Sequence, residues 1–221
     1  MNKTKIEWCD YTWNPITGCK RNCWFCYGKK IRQRFYPHIS WNELMWFDER
    51  LEQPLKVKKP SRIFVNSMSD IEYWRKCDID NVLKIIKQCP QHNFLFLTKN
   101  PASYYNLEFP ENCWLGVTDT GGDTFPLDDF SETFKPNIKF ISFEPLLAPL
   151  VTFIPLDINW IIIGALTGYN SQKYQPKPQW IKEILEQADR NKIPVFMKNN
   201  LKPYWKGKLR QEFPDLRKEE K

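Results

Sequence analysis

The sequence predicts an α/β fold, a partial or near-complete parallel (β/α) barrel over residues 1–201, followed by a charged tail over residues 202–221. Three observations point there. Short apolar runs rich in β-branched and aromatic residues recur along the chain, as in strands buried on both faces. Segments with an apolar stripe at helical spacing lie among them, as βαβ units require. Polar residues follow five of the six runs, and parallel α/β folds place their ligands at that end of the strand.

In chain order, a first strand is expected near Thr12 to Gly18 and a helix from Tyr27 to about Arg34. Glu49 to Lys59 reads as a connection. Six strands are then expected: Arg62–Asn66, Asn93–Thr98, Cys113–Thr118, Lys139–Glu144, Trp160–Gly164 and Pro194–Lys198. Between the first two of these, Asp78–Gln88 carries Ile79, Val82, Leu83, Ile85 and Ile86 at helical spacing, with Asp78 placed as N-cap. Gln179–Asn191 repeats the pattern with Ile181, Ile184, Leu185 and Ala188. Trp8 and Trp13 read as packing residues.

Composition narrows the function. At 221 residues, 42% hydrophobic and 27% charged, the chain is not a disordered one. Its longest apolar run, Trp160 to Leu166, is far shorter than the ~18 residues of a membrane span, so no membrane partner is expected. The opening MNKTKIEWCD has no apolar stretch, which makes the cytoplasm the expected location. The formal charge, 33 − 26 = +7, suits a nucleic acid or nucleotide. The basic runs Lys29, Lys30, Arg32, Arg34 and Lys56, Lys58, Lys59, Arg62 read as solvated faces, able to meet phosphates where they flank a site.

Seven cysteines, an odd number, argue against a disulfide framework. Cys77, Cys89 and Cys113 read as small buried or half-buried hydrophobes. Cys19, Cys23 and Cys26 are different: three thiols within eight positions can converge on a metal or an iron–sulfur cluster. Structural zinc takes four protein ligands, and the fourth would be Cys9 or a distant cysteine. A three-thiolate set instead leaves one iron of a [4Fe–4S] cluster without a protein thiolate.

Cys19-x3-Cys23-x2-Cys26, with Phe25 before the last cysteine, resembles the signature of the radical S-adenosylmethionine (SAM) superfamily. A narrower resemblance covers nearly the whole chain. Ile6-Glu7-Trp8, Thr12-Trp13-Asn14-Pro15, Thr17-Gly18-Cys19, Phe64 to Asp70, Leu97-Thr98-Lys99, Trp114-Leu115-Gly116-Val117, Ser142 to Leu147 and Phe196-Met197-Lys198 look like a phage and bacterial radical-SAM-like family of unresolved function. Its members are often encoded beside a three-Cys-motif partner protein. The resemblance implies the TIM-like barrel of radical SAM enzymes. It implies a [4Fe–4S] cluster on Cys19, Cys23 and Cys26, SAM on the fourth iron, an electron donor of flavodoxin or ferredoxin type, and hydrogen abstraction from a substrate by a 5′-deoxyadenosyl radical.

By position, the same resemblance assigns SAM contacts to Phe25, Asn14, Asn66, Ser67, Ser69, Asp70 and Lys99. Lys99 suits a carboxylate. Glu144 suits ribose hydroxyls or substrate, and Glu144 and Lys198 are the catalytic candidates, with an ion pair between them as the plainer reading. The Asn66–Asp70 segment also reads as a turn that satisfies its own backbone. Four places depart from the family pattern: Ala165-Leu166 where it has an acidic residue, Thr118-Asp119-Thr120, Asn199-Asn200-Leu201, and Cys9. Two other readings stand beside the enzyme. One is a zinc-bearing nucleic-acid-binding module on Cys9, Cys19, Cys23 and Cys26. The other is a cluster-bearing scaffold or redox subunit that does not cleave SAM.

Overall fold

The structure, a computed structural model, describes residues 1–122, 130, 137–168 and 171–215. The last part of the expected tail, 216–221, lies outside them. Contacts divide the chain into two compact units, residues 1–115 and 116–221.

Unit one contains β1 (Asn2–Lys3), β2 (Tyr11–Thr12), β3 (Ile16–Thr17), α1 (Tyr27–Phe35), β4 (Met45–Trp46), α2 (Asp48–Leu51), β5 (Arg62–Phe64), α3 (Lys76–Lys87), β6 (Asn93–Thr98) and the first half of β7 (Cys113–Thr118). The main sheet runs β1-β2-β5-β6-β7 here. β1 is antiparallel to β2, and β2, β5 and β6 pair in parallel. Thr12 to Gly18 is therefore not the single strand expected. Pro15 has no N–H to give a ladder. Trp13 still donates to Phe64 O at 2.8 Å, but past Pro15 the chain leaves the sheet and β3 pairs with β4 instead.

The helix expected at Asp78 begins at Lys76, and Arg75 holds the cap position. Asp78 lies in the first turn, where a carboxylate complements the helix dipole, and takes Arg75 Nε and Nη2 at 2.8 Å each. The predicted stripe Ile79, Val82, Leu83, Ile85 and Ile86 is buried. Trp8 and Trp13 are buried as expected, and so are Cys89 and Cys113, whereas Cys77 is exposed on α3. The Glu49–Lys59 connection holds the end of α2 and a 3-10 turn, Gln53–Lys56.

Unit two takes up the end of β7 and adds β8 (Ile138–Phe143), β9 (Trp160–Ile163), α4 (Pro178–Arg190) and β10 (Val195–Met197). The sheet order is β7-β8-β9-β10, with β8, β9 and β10 parallel. All four residues of β9 are buried, as a strand covered on both faces requires. Proline opens α4, where a missing N–H costs nothing, and Ile181, Ile184 and Ala188 face inward.

Seven strands, β2 and β5 to β10, run parallel, so the expected fold class holds in its partial form. The charged tail, expected to be exposed from residue 202, is docked as far as Phe213. Met197 N donates to Arg210 O at 2.7 Å, and Glu212 N donates to Val195 O at 3.0 Å. Phe213 lies 5.2 Å from Phe196 and 5.4 Å from Trp160, ring to ring. Its apolar ring overrides the charged composition around it and covers the edge of β10. Among the described residues no helix is long and apolar enough to cross a membrane.

Candidate functional site

The cysteine loop joins β3 to α1 and is pinned at both ends. Gly18 has φ +106°, a conformation glycine adopts freely. A Cβ there would lie 2.3 Å from Glu43 O. Gly18 N donates to Met68 O and Cys19 N to Trp41 O, both at 2.9 Å. Arg21 forms an ion pair with Glu72, whose other oxygen accepts from Asn100 Nδ2 at 3.1 Å. At the far end Cys26 is the residue before α1, and Tyr27 OH donates to Ser67 O at 2.6 Å.

Cys19, Cys23 and Cys26 are half-buried free thiols. Burial pushes the Cys19 thiol up to about 12; the Arg21 amide offsets part of this, and Asp70, Cys23 and Cys26 add to it. Burial also raises Cys23, against the pull of Lys99. The three sulfurs thus share one electrostatic neighbourhood. Among the described residues no three Cys, His, Asp or Glu side chains are drawn into a closed ligand group, so the loop is no preformed cage. Its donor chemistry does fit a thiolate-bound metal. Thiols lose their protons when a cation binds them, and the cation offsets the repulsion between the thiolates that form.

The second loop, Asn66–Asp70, follows β5 and is bridged to the first at Gly18 and Ser69. Asn14 braces it: Nδ2 donates to Ser67 Oγ at 2.9 Å, and Oδ1 accepts from Met68 N, also at 2.9 Å. Ser69 Oγ accepts from Trp74 Nε1 at 3.1 Å. Asn66 is buried and bound on both amide atoms to Leu97. Asp70 is buried too. Burial raises its carboxyl, opposed by bonds from Thr98 Oγ1 at 2.7 Å and from the Glu72 and Lys99 amides at 3.1 Å each. Through that last bond Asp70 positions Lys99, whose Nζ lies 5.3 Å from the centre of the Phe25 ring. Every unit-one residue singled out for SAM thus falls in this neighbourhood. Asn14, Asn66, Ser67, Ser69 and Asp70 are tied to protein partners, while Lys99 and Phe25 border the cysteines.

In unit two, Glu144 and Lys198 follow β8 and β10 and form the ion pair that was the plainer reading of them. They pack over Gly164, where a Cβ would approach Lys198 Cδ at 3.0 Å and Glu144 Cγ at 3.2 Å. The departures from the family pattern have local tasks. Asp119 Oδ1 accepts from Gly121 N at 2.7 Å and fixes a tight turn. Asn200 Nδ2 donates to Ala165 O at 2.8 Å, and Ala165 N donates back to Oδ1 at 3.1 Å.

The profile of a family described as "Protein of unknown function (DUF5131)" matches residues 3–211. The chain belongs to the DUF5131 family. No curated protein and no solved structure matches it. The DUF5131 match takes in both loops, the Glu144–Lys198 pair and the tail as far as Gln211.

One residue of this DUF5131 chain that lines a cavity was misread from sequence. Arg32, counted with the solvated basic run, is 2% exposed and lines a cavity in unit one. The available signal was its spacing: Arg32 stands one helical turn after Gly28, and both lie on the inward face of α1.

Proposed function

We propose that this DUF5131 member is a radical SAM enzyme, with Cys19, Cys23 and Cys26 holding a [4Fe–4S] cluster. The observation that carries the reading is the clamp between the cysteine loop and the Asn66–Asp70 loop, with Lys99 Nζ 5.3 Å from the centre of the Phe25 ring beside Cys26. What a bound cluster and SAM supply is one-electron cleavage of SAM to methionine and a hydrogen-abstracting 5′-deoxyadenosyl radical, the electron coming from a flavodoxin- or ferredoxin-type donor.

The chain's own residues then have distinct tasks. Asn14, Asn66, Ser67, Ser69 and Asp70 hold the two loops and present backbone groups to SAM. Lys99 pairs with the methionine carboxylate, and its charge also favours thiolate at Cys23. Phe25 excludes water beside the cluster. Glu144, its orientation fixed by Lys198, offers a hydrogen-bond acceptor to hydroxyl groups at the end of β8.

Anaerobic reconstitution with iron and sulfide, then dithionite and SAM, tests this by mass spectrometry of 5′-deoxyadenosine. Wild type forms it and Cys23→Ala does not. Protein that takes up only zinc, or that holds a cluster and leaves SAM intact, overturns the reading in favour of the zinc module or the scaffold.

A further inference from the structure

A cavity of about 740 Å³ in unit one, a volume typical of small-ligand sites, is lined by Arg32, Arg50, Thr12, Tyr27, Ile31 and Phe35 among others, with no acidic residue among the described lining. Its two guanidinium groups are not neutralised within it. Arg32 Nη1 donates to Thr17 Oγ1 at 2.6 Å and Nη2 to Glu43 O at 3.2 Å, both uncharged acceptors. Its buried Nε has no hydrogen-bond partner. The Glu43 carboxylate acts on Arg32 only through space and desolvation still outweighs it, so a buried cation whose hydrogen bonds all go to neutral acceptors gains from an anion that binds it directly. Arg50 is held rigid, stacked 3.6 Å from the centre of the Phe47 ring with Nη1 3.3 Å from Asn14 O. Its nearest carboxylate, on exposed Glu49, is 3.7 Å from Nε.

The rest of the wall is flat and apolar. Tyr27, Ile31 and Phe35 recur at every fourth position of α1, all three line the cavity, and all three are exposed to solvent. An exposed apolar stripe with an aromatic ring at each end, on a wall shared with two arginines, is the chemistry of a base stacked above its phosphate.

We infer that this cavity binds a nucleotide unit: Arg32 and Arg50 take the phosphate, Thr12 adds a hydroxyl, and Tyr27 and Phe35 stack the base. The binding stands without the radical SAM reading; its role as the substrate side rests on that reading. The same chemistry is offered by a free nucleotide and by a nucleotide within a single strand.

Calorimetric titration of the full chain, without SAM or reductant, tests it with thymidine monophosphate, thymidine and a short oligothymidylate. Thymine ligands leave any adenine-reading site out of the measurement. Thymidine monophosphate is expected to bind at least about tenfold more tightly than thymidine. Arg50→Gln and Phe35→Ala should each weaken it about tenfold, and Arg34→Gln, off the cavity wall, should not. Phe35 is a surface ring, so its variant stays informative if Arg50→Gln fails to fold. Oligothymidylate binding more tightly than the monophosphate identifies a strand as the ligand; equal or weaker binding identifies the free nucleotide. If neither phosphorylated ligand binds, or if folded Arg50→Gln and Phe35→Ala bind as wild type does, the inference is wrong. Formation of 5′-deoxyadenosine is a separate readout, so the two proposals fail independently.

Discussion

The side chain of Asn66 pairs with the backbone of Leu97 as a strand residue would, donating from Nδ2 to the carbonyl at 2.6 Å and accepting at Oδ1 from the amide at 3.0 Å. It carries the β5–β6 ladder two residues beyond Phe64, the last strand residue of β5, while its own backbone turns into the loop beside the cysteines. Asn200 does the same for Ala165 in unit two. Replacing Asn66 with alanine leaves both half-buried Leu97 groups without this partner, at a cost of ~1–2 kcal/mol. Asn66→Asp should cost no less, because a carboxylate cannot donate to the Leu97 carbonyl. Urea denaturation checks both, and an unchanged midpoint for Asn66→Ala would contradict the account.

Gly18 should be irreplaceable for the loop. Gly18→Ala meets both a positive φ and the Glu43 carbonyl, so the chain must move where Gly18 N holds Met68 O. We expect a loss of ~1–3 kcal/mol of stability and a fall in iron bound after reconstitution. Full iron content in Gly18→Ala would show that the loop's path does not set the thiols.

The cysteines should divide into two groups. Cys19→Ser, Cys23→Ser and Cys26→Ser are each expected to abolish iron uptake and the associated visible absorption. Cys9→Ser and Cys77→Ser should leave both intact. Loss of metal in Cys9→Ser would support four-cysteine zinc ligation instead.

The Glu144–Lys198 pair makes a prediction about coupling. Half-buried over Gly164, each partner depends on the other to offset its lost hydration. Lys198→Met should destabilise the protein by ~1–3 kcal/mol, and Glu144→Gln added to it should cost much less than the same change in wild type. A double-mutant cycle by chemical denaturation reads the coupling directly; strict additivity would show that the pair contributes nothing.

Acid should loosen the tail. The hydrogen bond from Arg210 holds the Glu212 carboxyl below its ordinary value of 4.5, burial opposes this in part, and the Val195 amide reinforces it. A carboxyl depressed in the folded state stabilises the fold above its unfolded pKa, and that contribution fades as pH falls through the folded value. Wild type should therefore lose more stability than Glu212→Gln between about pH 6 and about pH 3. Melting temperatures across that range provide the check, and parallel curves would exclude the effect.

The apolar runs read from sequence became β6 to β10, and β5 in shorter form, because a strand buried on both faces needs almost every side chain apolar, and that requirement is local. The helical stripes of α3 and α4 were legible for the same reason, down to the buried Ile79, Val82 and Ile86. The Cys19–Cys26 spacing, too, is written in eight consecutive residues. What the tertiary structure decided lies in polar side chains whose partners are far along the chain. Asn66 meets Leu97 across 31 positions, and Asn14 meets Ser67 across 53. Such bonds leave no periodicity in the sequence, so an asparagine that extends a ladder and one that touches a ligand look alike. Arg32 in a charged run and Phe213 in a charged tail were misread on the same ground. Composition gives the average surroundings of a residue, whereas burial is set by whichever distant segment the fold brings against it.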